Sequence, residues 1–178
     1  MRRSTLLALS AAFVPTTMLL AACAGSGGLE LTPVASFGAA NAFSKSGFSE
    51  TQVSDTEYKV TATGTEATPK SRLEKIARAR AAQIGVEKNL KYYKVANVQY
   101  GKNCSKPHNF HKGGSTAAES RQTVEIAVVY AKEPSDPAFL SSEDSFSTLN
   151  GELATEIISS EEKATAAAEA RAGCGLPV

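Results

Sequence analysis

The stretch that decides the fold runs from Tyr58 to Val98 and reads YKVTATGTEATPKSRLEKIARARAAQIGVEKNLKYYKVANV. Its first seven residues alternate, with Tyr58, Val60 and Ala62 on one face and polar residues on the other, which predicts a half-buried strand. The last seven residues, YYKVANV, begin a second strand predicted over Tyr92–Tyr100. The stretch therefore predicts a strand, a helix and a strand.

The segment between these strands has the marks of an amphipathic helix. Thr68 followed by Pro69 predicts its start, with a hydroxyl cap and then Pro at the first helical position. With a helical rotation of about 100° per residue, the apolar side chains fall on one face of the helix and the basic side chains fall on the solvent side. The apolar set is Leu73, Ile76, Ala77, Ala81 and Ile84, and the basic set is Arg72, Lys75 and Arg78. We expect the helix to end near Lys88–Asn89.

A third strand is predicted over Gln122–Tyr130, where Val124, Ile126 and Val128 alternate with polar residues. A short strand–helix–strand connection favours a right-handed parallel crossover. The third strand can then return antiparallel beside the second, after a loop over residues 101–120. The predicted fold is α+β, with a small mixed β-sheet, one amphipathic helix across it and a C-terminal helical segment.

The N-terminus resembles a bacterial lipoprotein signal. Two arginines precede an apolar stretch, Leu6–Val14, that is too short to span a bilayer. Residues 20–23, Leu-Ala-Ala-Cys, match a lipobox, which implies a signal peptide over residues 1–22 and lipidation of Cys23. The resulting acyl chains would anchor the protein in a membrane. The alternative is an ordinary secretory signal in which Cys23 is incidental.

These features divide the chain into four parts: the signal peptide 1–22, a lipidated cysteine and flexible tether 23–46, the α+β domain 47–133, and a C-terminal helical segment and tail 134–178. Within the last part, residues 141–144 predict a helix start, and residues 152–172 form an alanine- and glutamate-rich helical stretch. Position 24 is Ala rather than Asp, so the inner-membrane retention signal of enteric bacteria is absent. The expected location is the bacterial cell envelope, at the outer rather than the inner membrane.

Residues 47–64, GFSETQVSDTEYKVTATG, together with Arg80-Ala81-Ala82 and Tyr92-Tyr93, resemble a family of small uncharacterised lipoproteins of alphaproteobacteria. The resemblance covers residues 47–98 and, faintly, 139–153. It implies a β-α-β-β domain and a lipid-anchored location, and it implies no activity. The chain departs from the family at Thr65, where Asn is usual, and in its long C-terminal tail.

Cys104 and Cys174 remain once Cys23 is assigned to lipid. In an oxidising compartment such a pair predicts a disulfide. Cys104 also begins the pattern Cys104-x₃-His108-x₂-His111, which contains both histidines of the chain. Thiolate and imidazole are zinc ligands, so a metal site is the weaker alternative. The chain carries no motif that implies a cofactor, and we expect none.

Arg80 lies near the middle of the predicted apolar helix face, between Ile76 and Ile84. Its stem could cover apolar surface while the guanidinium reaches water. Alternatively, a partly buried Arg80 could pair with a carboxylate or with an anionic group of a ligand, which makes it a candidate ligand-binding residue.

The near balance of 19 Lys and Arg against 18 Asp and Glu argues against nucleic acid as a partner. No nucleophile–base–orienter set is visible, so we expect no enzyme. The expected function is that of a membrane-anchored envelope lipoprotein that binds an envelope protein or peptidoglycan, in integrity, assembly or stress sensing. The alternative is a periplasmic lipoprotein that binds a small ligand or a metal.

Overall fold

The computed structural model describes residues 33–41, 44–109, 115–134 and 136–178. The predicted signal peptide, Cys23 and the first part of the tether lie outside the described residues, as does His111. The elements, in chain order, are β1 (Gly47–Gln52), β2 (Glu57–Thr63), α1 (Lys70–Glu87), β3 (Tyr92–Ser105), β4 (His108–Asn109), β5 (Ser115–Thr116), β6 (Glu119–Ala131), β7 (Leu140–Ser141), α2 (Ser142–Thr155) and α3 (Ser160–Gly173).

The main sheet has five strands in the order β1-β2-β6-β3-β7. The α+β fold, with a helix across a sheet, is confirmed, and so is the antiparallel return of the third predicted strand beside the second. The sheet is antiparallel throughout, however, because β6 lies between β2 and β3 and pairs antiparallel with each. The connection from β2 through α1 to β3 therefore leaves room for one strand between them. β6, in which apolar residues alternate most regularly, occupies this position.

The predicted apolar face of α1 is confirmed. Leu73, Ile76 and Ala81 have no exposed surface, and they pack against the valines and isoleucine of β6. The hydroxyl of Tyr130 donates to the carbonyl of Ala81 at 2.6 Å. The helix ends as expected, with Lys88 as the C-cap and the next residue in the left-handed region at φ 56°.

α1 also has a second buried face, which the sequence analysis assigned to solvent. Arg72 is only 6 % exposed, contrary to that prediction. The cause is α2, which packs along α1: Arg72 donates to the carbonyl of Leu153 in α2 and pairs with Glu156 at the end of that helix. A Cβ on Gly85 would collide with Ser142 of α2, so only glycine permits this close approach.

The start of α1 also differs from the prediction. Pro69 is the N-cap residue, and no side chain caps the helix. The buried hydroxyl of Thr68 instead accepts hydrogen bonds from the backbone N–H groups of Ala35, at 2.9 Å, and Thr65, at 3.0 Å. Thr68 therefore fixes the segment that precedes β1.

Residues 33–41, predicted as flexible tether, are docked on the domain. Ala35 is 1 % exposed, and its carbonyl accepts from Arg72 Nε at 2.9 Å. The Phe37 ring lies 5.1 Å from that of Phe48 and 6.3 Å from that of Phe146, measured between centroids. The burial of this phenylalanine joins the segment to both β1 and α2.

The C-terminal segment forms two helices, and both pack on the domain. The predicted helix start is confirmed, because the side chain of Ser141 accepts from Asp144 N at the start of α2. The stretch 152–172 is not one helix, since residues 156–159 separate α2 from α3. Ser159 and Glu162 form a capping box that begins α3.

Candidate functional site: the open face of the sheet

The two faces of the sheet differ in what covers them. One face, which we call the covered face, carries the buried side chains of β6 and packs against α1 and α3. The other, the open face, carries the alternate side chains of each strand, and no helix among the described residues packs on it. Its partly or fully exposed members include Lys59, Thr61, Thr63, Asn97, Gln99, Thr123, Glu125, Ala127 and Val129.

Antiparallel register sets these side chains in rows, because directly opposed residues point to the same face. The central row crosses Thr61, Glu125 and Gln99. On one side of it lies the row of Lys59, Ala127 and Asn97. The result is a flat surface of hydroxyl, amide and charged groups on the three central strands.

The electrostatics of the open face are balanced. The Glu125 carboxylate accepts from the Thr61 hydroxyl at 3.4 Å and lies 3.5 Å from the Lys59 ammonium. Asn97 and Gln99 are exposed, and their side-chain amides make no hydrogen bond to any residue that the structure describes. Amides offer both a donor and an acceptor, so this part of the face can bind a polar surface of either kind.

One end of the open face is closed by the segment before β7. Lys94 Nζ lies 2.9 Å from the Asp136 carboxylate and 4.9 Å from the centre of the Phe139 ring. The hydrogen bond from Lys94, followed by one from the backbone of Ala138, holds the pKa of Asp136 below its ordinary value. Binding groups are therefore available in the middle of the face rather than at this end.

The predicted disulfide is present. Cys104 and Cys174 are bonded, with their Cα atoms 5.6 Å apart and a sequence separation of 70. Bonding removes the Cys104 thiolate from the alternative metal set with His108 and His111. No group of three or more His, Cys, Asp or Glu side chains suited to a metal occurs within the described ranges.

Arg80 is partly buried and paired within the protein. Its side chain is 12 % exposed, and its guanidinium lies 2.6 Å from Glu50 and 2.9 Å from Glu87. It also lies 5.1 Å from the centre of the Phe48 ring. Burial alone would lower the pKa of Arg80, but the two carboxylates outweigh burial and raise it. The guanidinium is thus engaged by protein carboxylates, which leaves little of it for an anionic ligand.

The sequence already contained the signal for the open face. The alternation that predicted two of the strands assigned Lys59, Thr61, Thr123 and Glu125 to the polar side. It did not show that β6 joins them into one surface, because strand order is a long-range property. Asn97 and Gln99 were missed as site residues since a bulge at residue 96 interrupts the alternation of β3.

Among the described residues, no helix combines the length and the apolar character needed to cross a membrane. Comparison of the chain with family models, with curated proteins and with solved structures yielded no significant match. The resemblance to alphaproteobacterial lipoproteins therefore stays a prediction.

Proposed function

We propose that this chain is a non-enzymatic lipoprotein of the bacterial envelope, anchored in the membrane by Cys23, that binds another envelope component. Its open sheet face would be the binding surface. The observation that carries the proposal is the group of exposed amides, Asn97 and Gln99, beside Glu125 on a face that no described helix covers. A polar surface of this kind on a tethered domain suits a protein or peptidoglycan partner, because both offer hydrogen-bonding groups.

Two further features support the proposal. The lipobox-like residues 20–23 end an apolar segment of signal-peptide length. The Cys104–Cys174 disulfide belongs to an oxidising compartment, such as the periplasm or the cell surface. Both agree with an exported and anchored domain. Ala rather than Asp at position 24 favours the outer membrane over the inner one.

The binding surface is tested by a matched pair of substitutions in the full chain. Ala127→Arg places a bulky cation in the middle of the open face, whereas Ala154→Arg places the same group on the exposed side of α2. A photoreactive residue at Thr61, in the central row of the open face and away from the β3 edge, should cross-link a partner in the intact envelope. Sedimentation with isolated peptidoglycan tests the polymer. We expect Ala127→Arg to reduce the cross-link or the co-sedimentation at least tenfold, and Ala154→Arg to leave both unchanged.

Equal effects of the two arginine variants would contradict the open face as the binding surface. Saturable binding of a metal or a small molecule to the purified chain, unaffected by Ala127→Arg, would favour the small-ligand alternative.

The anchor is tested separately, because lipidation requires the thiol of Cys23. Cys23→Ser should abolish incorporation of a labelled fatty acid and leave the precursor unprocessed. Label that persists in the variant would disprove the anchor while leaving the binding surface untouched.

A further inference from the structure

Within the described part of the chain, the outer edge of β3 is unpaired over most of its length. β7 pairs with β3 only at Tyr92 and Tyr93. Beyond that pair, no described residue forms a backbone hydrogen bond to the outer side of β3. An unpaired strand edge is a template for another strand, and proteins usually blunt it with charge, proline or a covering segment.

The register identifies which backbone groups face outward. Tyr130 N donates to the carbonyl of Thr56, and the Gln122 carbonyl accepts from Gly64 N. The backbone N–H and C=O groups of the even-numbered residues of β6 therefore point toward β2. The odd-numbered residues of β6 therefore bond to β3, and their partners there include Asn97, Gln99, Gly101 and Asn103. The residues that alternate with these partners present their N–H and C=O groups at the open edge. They are Val98, Tyr100, Lys102 and Cys104.

Among the residues that the structure describes, nothing gives this edge the usual protection. Lys102 is the charged residue within it, and its amine is turned back onto the covered face, where it donates to the carbonyl of Gly173. Cys104 is tied to Cys174 on the same face. The Tyr100 side chain is 57 % exposed, and the bulge at residue 96 ends the regular edge on the other side.

We propose that the occupant of this edge is β3 of a second copy of the chain, paired antiparallel about a two-fold axis at Gly101. In this register Tyr100 lies opposite the Lys102 of the other copy, and Val98 lies opposite Cys104. All four open residues of each copy are then paired, which gives about eight backbone hydrogen bonds since each such pair exchanges two.

Side chains select the same register. On the open face it sets Gln99 opposite Asn103 of the other copy, so two amides can exchange hydrogen bonds at each of two places. Shifting the axis to Lys102 sets like charges directly opposite, which destabilises a sheet pair. Shifting it to Tyr100 leaves Cys104 opposite the bulge and sets the Lys102 charge against Val98. Of these three registers, only the one centred on Gly101 avoids both faults.

The dimer joins two five-stranded sheets into one continuous sheet, with both open faces on the same side. The dimer does not require the binding function proposed above, although Gln99 belongs to both surfaces and the dimer would set two such binding surfaces side by side. A short strand ladder buries less area than a typical stable interface, so we expect a dimer that dissociates on dilution across roughly 1–100 μM.

The first test compares two substitutions at one position, in the full chain in detergent at a large excess of micelles. Tyr100→Pro removes an outward N–H, which an edge strand tolerates, and Tyr100→Ala keeps it. Sedimentation equilibrium should show a concentration-dependent dimer for the native chain and for Tyr100→Ala. The dimer dissociation constant of Tyr100→Pro should rise at least tenfold. A native chain that is monomeric at 100 μM, or a dimer unaffected by the proline, would overturn the proposal.

A second measurement needs no proline and so does not depend on how that variant folds. A spin label on Gln99→Cys lies four residues from its symmetry mate along the strand, which places the two Cα atoms about 14 Å apart. Dipolar coupling should appear for this label and should be absent for the same label on Ala154→Cys, with the unsubstituted chain as background. Coupling at residue 154 alone would place the interface elsewhere, and no coupling at residue 99 in a dimer would exclude pairing through β3.

Discussion

The two halves of the covered face of β6 are held by different forces. Under α1, the strand presents Val124, Ile126 and Val128, and all three are buried against apolar residues. Under α3, it presents Ser120 and Gln122, which are 1 % and 3 % exposed. The same strand therefore changes from an apolar to a polar surface along its length.

The polar half is held together by directional and covalent contacts. Gln122 Nε2 donates to the carbonyl of Ala166 at 3.0 Å, and the Ser120 hydroxyl donates to Glu66 at 2.7 Å. Glu66 also accepts from Arg171 of α3 at 2.8 Å. Because α3 contributes mainly alanines, apolar burial alone stabilises it weakly. The comparison indicates that α1 forms the stable core, whereas α3 depends on the disulfide.

Loss of the disulfide should have the largest effect. Cys174→Ser opens a loop of 70 residues, which corresponds to about 4 kcal/mol of stability in the chain-entropy model. We expect faster amide hydrogen exchange in α3 and in the first half of β6, and a lower denaturant midpoint. Cys104→Ser is the matched control and should give the same result. Unchanged exchange in α3 would show that its polar contacts suffice without the cross-link.

The next largest effect should come from the apolar half. Ile126→Ala removes a side chain with no exposed surface, so we expect a loss of about 3 kcal/mol in the free energy of unfolding. The control on the same strand is Val129→Ala on the open face, which should cost less than about 1 kcal/mol because the side chain is partly exposed. Similar denaturant midpoints for the two variants would contradict the assignment of the faces.

A third prediction compares two arginines of α1. Arg80→Ala should destabilise the fold by about 1–2 kcal/mol, because it removes two ion pairs of a side chain only 12 % exposed and leaves Glu50 without its partner. Arg78→Ala breaks one ion pair with Glu74 within the same helix and should cost under about 0.5 kcal/mol. Chemical denaturation measures both, and equal losses would contradict the difference in environment.

The smallest effect concerns pH at the contact between α1 and α2. Burial would raise the pKa of Glu156, but hydrogen bonds from Lys75 and Arg72 outweigh it and hold the pKa below the ordinary value of 4.5. The contact is therefore fully stabilising above about pH 4.5 and weakens as pH falls through the lowered pKa. Glu156→Gln should reduce the loss of stability between pH 5 and pH 3, measured by thermal unfolding. An unaltered pH profile would assign that loss to other carboxylates.

Local pattern was enough to predict the elements that bury one face. The alternation in β2 and β6 and the apolar face of α1 could be read from the chain because each repeats within a few residues. Arg72 was assigned wrongly because a helical wheel was read for one apolar face only. The small residues Ala79, Ala82 and Gly85 were the signal of a second buried side of α1: all three are buried, and Gly85 lies against Ser142 of α2.

Long-range properties could not be predicted in the same way. The position of β6 between β2 and β3 depends on which strand gains most by pairing on both edges, and no local pattern reports this. The role of Arg80 depended on β1, since Glu50 lies on a strand that the sequence analysis did not predict. The open face as a single surface required the position of β6, because β6 joins β2 to β3.

The central position of β6 also bears on the order in which the chain can fold as it is made. The β1–β2 hairpin and α1 are complete by residue 87, yet the strand that joins them to β3 ends only at residue 131. Until that strand has been synthesised, the apolar faces of β2 and α1 lack the central strand against which they pack. Contacts between residues so distant in sequence also form slowly. Such a nascent chain stays open until residue 131 of 178, about three quarters of its synthesis, which agrees with the export proposed above.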